Sequence, residues 1–308
     1  MANTTSTLAA ILADGSIASA FALSIADRHS FLSHDIIRQS YIADLAGRSS
    51  TTAEKPVYGY GANLMASETE GTGVSATAIS VAALTATVGG FALRRDTSSL
   101  AQSIIGMDRL GASALIGNDL AVSATMTLVN SIASVIDDFT NTEADTGVAL
   151  TLAKVISALA TFSANNMRGP IMGVLHSKQW SDLSSNIATT GSGSVQFSDA
   201  GAQLAAFTDD SFKGNFLGVD WFTSNQVVFQ NGVTDRGGAI FGPDGIVWAT
   251  ATPTVDNPAL QTVIGAGQLP VLVDLARDGG AGVSEITARC FIGTSKGLEN
   301  GVTITSAA

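Results

Sequence analysis

Few side chains in this chain of 308 residues are of types that do chemistry. Its single cysteine, Cys290, stands beside Phe291 and Ile292 in an apparent strand, where a thiol packs as a small apolar group rather than acting as a nucleophile. One cysteine cannot close an intrachain disulfide, so nothing marks an oxidising compartment. The histidines are His29, His34 and His176; the spacing of His29 and His34, with Asp35 adjacent, is the nearest approach to a metal-ligand pattern, and no short-range His/Cys/carboxylate cluster of the zinc type occurs. Asp137-Asp138 and Asp209-Asp210 are adjacent carboxylates at helix ends or in loops, places for solvation or capping rather than for acid-base pairs. Gly71-x-Gly73-x-x-Ala76 has the letters of a loose dinucleotide fingerprint, but polar residues precede it and alternating residues follow, so it reads as a flexible turn. Neither a P-loop lysine nor a strand-turn-helix nucleophile elbow is read here. No catalytic residue, cofactor site or metal site is therefore expected.

One constellation remains. Arg94 and Arg95 are the only adjacent basic pair in the chain, followed directly by Asp96. An exposed pair of this kind at a strand end is usually solvated. The sharper expectation is that one of the two arginines meets a carboxylate of a neighbouring subunit, which makes Arg94, Arg95 and Asp96 the candidate intersubunit contacts.

Composition says what kind of surface must carry such contacts. Charged residues make up 13% of the chain and apolar ones 45%, with a mean hydropathy of +0.31; soluble domains are usually about a quarter charged. Ser, Thr, Asn and Gly must cover what Lys and Glu normally cover, and such a surface suits protein contacts. Fifteen basic against twenty-six acidic residues leave a formal charge of −11, which argues against the basic footprint of a nucleic-acid binder. No basic residue precedes Arg28, so no secretory signal is read. The uncharged run from Gly71 to Leu93, 23 residues, is long enough to span a bilayer. Its β-branched, period-two spacing at Ile79 and Val81 and at Leu84 and Val88 instead predicts hairpin strands, and no membrane partner is expected.

The elements that position these residues follow from periodicity. Residues 1–23 read as a flexible arm and Ser24–Leu45 as a helix stopped by Gly47. A polar linker, 48–72, leads into the uncharged hairpin, which turns back through Gly89-Gly90. From Arg109 to Phe139 apolar residues recur at helical spacing, with Leu115, Val122, Met126, Val129 and Ile136 on one stripe and Leu120, Ile132 and Val135 beside it. That is a rod on the order of 40 Å long, with no Lys or Arg from Leu110 to Ala153 and both sides fit to lie against protein. A loop at 141–147, a helix at 150–165, a strand at 171–175 and a helix opening at His176 come next, then a Gly/Ser loop at 189–194. Beyond Ala200 the pattern is mainly β, with Ala239–Phe241 and Ile246–Ala249 paired around Gly242-Pro243-Asp244-Gly245 and a last hairpin signalled by Asn300-Gly301.

The order of these pieces resembles the major capsid protein of tailed bacteriophages, with the HK97-type shell fold. Gly89-Gly-Phe-Ala-Leu-Arg-Arg-Asp-Thr-Ser-Ser-Leu100 is similar to the return strand of that family's extended loop, and Leu110–Phe139 to its spine helix. Gly169-Pro-Ile-Met-Gly-Val-Leu-His-Ser-Lys-Gln-Trp-Ser-Asp-Leu183 resembles the strand and helix of the axial domain. Val283–Gly293 with Gly297–Ile304 resembles the closing hairpin of the peripheral domain. The resemblance implies an α+β chain divided into an N-terminal arm with a short helix (1–50), an extended loop (51–96), a peripheral domain with the spine helix (97–146), an axial domain (147–264) and a peripheral return (265–308). It implies a shell built from hexamers and pentamers of this chain, in the virion and, during assembly, in the host cytoplasm. A portal protein, a separate scaffolding protein and packaged double-stranded DNA held without sequence-specific contacts are the implied partners.

Low charge suits that reading, because only the assembled surface must be soluble. Acidity suits it too, since a wall repeated over hundreds of copies should not bind phosphate strongly. Some family members cross-link subunits through a loop lysine, whereas residues 56–93 contain none and Lys55 stands at the margin; non-covalent subunit contacts are expected. The alternatives are an encapsulin-type compartment shell, which encloses an enzyme, and a phage-tail or cell-surface structural protein.

Overall fold

The computed structural model of the chain describes residues 30–47, 50–58, 81–98, 109–165, 167, 169–189, 211–257, 261–264, 269–278 and 283–308. The expected arm, the Gly71–Ala76 turn, the Gly/Ser loop, His29 and Asp209-Asp210 lie outside them.

The first described elements are two short helices, α1 (Ser30–Ser33) and α2 (Asp35–Gln39), whose Phe31, Leu32, Ile36 and Ile37 are buried. The His34 side chain caps α2 by accepting the Ile36 N–H at 3.3 Å. The helix expected to reach Leu45 stops at Gln39: the Ser40 hydroxyl and N–H both donate to the Ile36 carbonyl, and Tyr41–Asp44 becomes strand β1. A sheet edge overrides the helical period here, because β1 pairs in parallel with β11 (Ile246–Thr250) and Tyr41 packs on Trp248 with ring centroids 4.7 Å apart.

Part of the expected linker is also a strand. β2 (Thr52–Tyr58) pairs antiparallel with β3 (Val81–Thr87) in register from Thr52↔Thr87 to Tyr58↔Val81. The partner of β3 is therefore β2, and Gly89-Gly90 is no turn. The chain runs on through Val88 into β4 (Gly89–Ser98), which joins a different sheet by pairing with β14 (Val283–Lys296).

Two sheets form the body. The first has the order β1-β11-β14-β13-β12, with β13 spanning Val271–Asp278 and β12 Gln261–Ile264, and carries β4 on the remaining side of β14. The second comprises β5 (Thr142–Ala144), β15 (Gly301–Ala307), β10 (Asp235–Phe241), β6 (Ile171–Leu175), β8 (Val219–Thr223) and β7 (Phe212–Phe216) in that order, with β9 (Phe229–Gln230) on β10.

Helix α3 (Arg109–Ala133) packs against both sheets. Its buried face is Leu120, Ala124, Leu128 and Ile132 with Val129 and Ala133, continued beyond its end by Ile136, while Val122 and Met126, expected inside, are only half-buried. The helix stops at Ala133, six residues before Phe139, and tighter turns follow as Val135 and Asp138 donate to carbonyls three residues back. Met172, Val174, Phe222, Ala239 and Phe241 of the second sheet meet the α3 side, and the alternate residues Leu175, Trp221, Ile240, Val302 and Ile304 meet α4 (Leu152–Ala164) and α5 (Ser177–Thr189). With both faces of the sheet covered, β6 is apolar throughout, whereas β8, β10 and β15 also carry Asp220, Asp235, Arg236, Thr303, Thr305 and Ser306.

Both expected hairpins around the Pro-Asp-Gly and Asn-Gly turns are corrected. β10 and β11 belong to different sheets, and so do β14 and β15. The two links cross between the sheets side by side: Gly242 N–H donates to Asn300 O, Gly297 N–H to Gly245 O and Leu298 N–H to Asp244 O, at 2.7–2.8 Å. The turn signals are real, but the long-range ladders decide which strand each one serves. No helix among the described residues is long and apolar enough to cross a membrane.

Candidate assembly surface

The chemistry-bearing residues are tied up in structure. Cys290 is 5% exposed, and burial pushes its thiol up to about 11. His34 is held from both sides, with Nδ1 capping α2 and Nε2 3.1 Å from Asp220. Burial, with a contribution from Arg236, lowers the pKa of His176. Burial raises Asp137, although the Gln230 amide donates to it. The letters Gly-x-Ser-x-Gly do occur, at Gly293-Thr294-Ser295-Lys296-Gly297. They lie at the end of β14 with a strand rather than a helix beyond, and the Ser295 hydroxyl donates to the Lys296 carbonyl, so no elbow presents it. No group of His, Cys, Asp and Glu suited to a metal ion occurs among the described residues.

Arg94, Arg95 and Asp96 lie on β4, where alternation sends them to opposite faces. Asp96 is directly opposite Glu285 of β14, an arrangement of like charges that costs stability. Arg94 sits between them, donating to Asp96 from Nε at 2.7 Å and to the Glu285 carboxylate from Nη2. The hydrogen bond from Arg94 holds Asp96 below the usual carboxylate range. Arg95 turns to the other face and donates to Asp119 of α3 at 2.6 Å, which raises its own pKa. Both arginines thus have carboxylate partners within the chain, with 53% and 45% of their side chains still exposed. Asp119, the one acidic residue of α3, is the partner that sequence spacing did not reveal.

Elsewhere the same economy holds. Lys154 pairs with Asp145, Lys178 with Asp182 and Lys296 with Glu299. These lysines and the two arginines are thus engaged by carboxylates of the chain itself. Among the exposed residues are several large apolar ones: Val148, Ile156, Leu217, Phe229 and Val233 on the second-sheet side and Phe91 on β4. The outward face of α4 adds Ala153, Ala160, Ser163 and Ala164 around Ile156, with no charge among them. A helix facing only water normally carries charges there.

No known family profile matches the chain, and no curated protein sequence is similar to it. Solved structures are similar over most of its length. The capsid asymmetric unit of cyanophage Pam1 matches 86% of this chain and 87% of its own, at 10% identity and a TM-score of 0.58. The capsid of Ralstonia phage GP4 matches 87% of this chain and 85% of its own, at 10% identity and a TM-score of 0.58. The chain has the shell fold of phage capsids. An encapsulin complex from Synechococcus elongatus shares it more loosely, covering 73% of this chain and 77% of its own at 10% identity and a TM-score of 0.52. The resemblance read in the order of the elements therefore holds at the level of the capsid fold.

Proposed function

We propose that this chain is a major capsid protein, a shell subunit that assembles with copies of itself as hexamers and pentamers into an icosahedral head enclosing a phage genome. The observation that carries the reading is the capsid-fold likeness over 86–87% of the chain. The low charge and the uncharged outward face of α4 agree with a subunit whose solubility is that of the finished shell. In this reading the paired strands β2 and β3 belong to an extended loop at 51–96, the rod to a peripheral domain at 97–146, strands β6 to β10 of the second sheet to an axial domain at 147–264, and residues 265–308 return to the peripheral domain. Arg94, Arg95 and Asp96, paired internally but half-exposed, face a neighbouring subunit. A portal, a separate scaffolding protein and double-stranded DNA held without sequence-specific contacts complete the head in the virion, and the host cytoplasm is where it assembles.

The likeness to an encapsulin supports a second reading, a protein compartment built from the same fold. Sedimentation velocity of the purified chain separates shell-builders from other proteins: capsomers or larger bodies are expected, and a monomer at micromolar concentration under all salt conditions would refute both. Nuclease-resistant DNA in particles from the native source then selects the phage head, and an enclosed enzyme selects the compartment.

A further inference from the structure

We propose that Lys55 is the latch that sets the angle of the β2–β3 ribbon on the body of the subunit. The ribbon is thinly anchored. Among the described residues its inward face offers Ala53, Val57, Leu84 and Ala86, which pack on Leu45, Val247 and Ala249 with the half-buried Ile42 and Leu298 beside them. Its outward face, with Thr52, Glu54, Pro56, Ala83, Thr85 and Thr87, is exposed or half-buried and touches no core cluster. Two alanines among four anchoring side chains bury little apolar area, so the ribbon's orientation depends on its polar fastening.

Among the described residues that fastening is a single side chain. Lys55 stands on β2 opposite Leu84 and donates from Nζ to Asp244 Oδ1 at 2.5 Å, with Gln39 O, at the end of α2, 3.5 Å away. Lys55 and Asp244 are 33% and 15% exposed, so the pair is partly shielded from water. Asp244 is itself fixed. It adopts φ +59° in the link between β10 and β11, and its carbonyl accepts Leu298 N–H from the parallel link between β14 and β15. Lys55 therefore ties the ribbon to the place where both strand pairs change sheets. The pivot lies at the other end, where Val88 N–H donates to Thr51 O and the chain passes over Gly293. A Cβ at 293 would come within 2.8 Å of Val88 N and closer to the Thr87 carbonyl, so the ribbon joins β4 at a point of enforced close approach. A pivot at Gly293 and a latch at Lys55 define one angle. Arg94 and Arg95, turned to β14 and α3, do not contribute to it.

The effect on shell geometry rests on the shell-subunit reading; the latch does not. Lys55→Met keeps the length of the side chain and removes its charge, Asp244→Asn keeps a residue that tolerates positive φ, and Lys55→Arg keeps the charge. Hydrogen exchange is measured on unassembled subunits, comparing amides of 52–58 and 81–87 with those of β10 and β15. Lys55→Met and Asp244→Asn should each speed exchange in the ribbon on the order of tenfold without changing the sheets, the double variant should be no faster than either single one, and Lys55→Arg should restore most of the protection. Unchanged ribbon exchange in both single variants, or additive effects in the double, would overturn the latch. Particles are then sized by electron microscopy. A broader or shifted size distribution for Lys55→Met is expected, and shells identical to the parent's despite faster ribbon exchange would overturn its role in geometry. If the parent chain forms no shells at all, the functional reading fails while the exchange result still decides the latch.

Discussion

Asp96 and Glu285 oppose each other across two neighbouring strands, and Arg94 makes that pairing tolerable. A folded-state pKa lowered by a partner contributes stability that is present above the ordinary carboxylate range and lost as the pH falls through the lowered value. Arg94→Gln should therefore lower the melting temperature at pH 7, and the gap to the parent should close as the pH falls through the carboxylate range; a gap unchanged down to pH 4 would show that the opposition costs nothing. The same residues carry the intersubunit proposal. Arg95→Gln, which removes the contact to Asp119 within the subunit and the charge offered to a neighbour, should fold normally and slow or halt assembly, whereas normal assembly at physiological salt would leave Arg95 a purely internal contact. Cys290 gives a simpler check. With its thiol pushed up to about 11 and its side chain buried, a maleimide at pH 8 should label it only on unfolding, and stoichiometric labelling of the native chain would contradict its place in the core. Its burial is legible from its neighbours Phe291 and Ile292. The partners of Arg94 and Arg95 are not, because Glu285 lies 191 residues away and Asp119 is positioned only once α3 packs on the first sheet.

At the scale of elements, local pattern identifies what forms and long-range pairing decides where it goes. The rod, α4, β6 and α5 fall close to where periodicity puts them, because each carries a burial pattern that its own sequence specifies. The turns at Gly242–Gly245 and Asn300-Gly301 are legible from their residue types, but not that each carries the chain from one sheet to the other; an Asn-Gly signal constrains four residues, and the ladders of β10 with β15 and β11 with β14 involve strands some 40 to 70 residues apart. Tyr41–Asp44 shows the converse error, a plausible helical continuation captured by the edge of β11. The close approach at Gly293 makes the crossing testable. Gly293→Val would drive a branched side chain into the Thr87 backbone and should cost about 1–3 kcal/mol or more in chemical denaturation. A loss below about 0.5 kcal/mol, within the usual range of surface changes, would mean that the ribbon does not pass there as described.

For the whole molecule, the scarcity of charge and the fold lead to the same conclusion. A chain with 13% charged residues, several of its cations paired with its own carboxylates and an uncharged helix face turned outward has little to keep it apart from its own copies. In a closed symmetric shell, modest contacts repeat at every copy, so weak pairs and small apolar faces suffice. The order of the rod, α4, β6, α5 and the β-rich end is legible in the sequence, which is why the capsid fold can be read from a chain that matches no family profile; the surfaces that join one copy to the next are not, since no local pattern distinguishes a face awaiting a neighbour from one facing solvent. Electron microscopy of the purified chain under assembly conditions tests the central claim most directly. Closed icosahedral particles whose reconstruction shows this chain as hexamers and pentamers are the predicted result, and a homogeneous population of single subunits with the fold intact would contradict it.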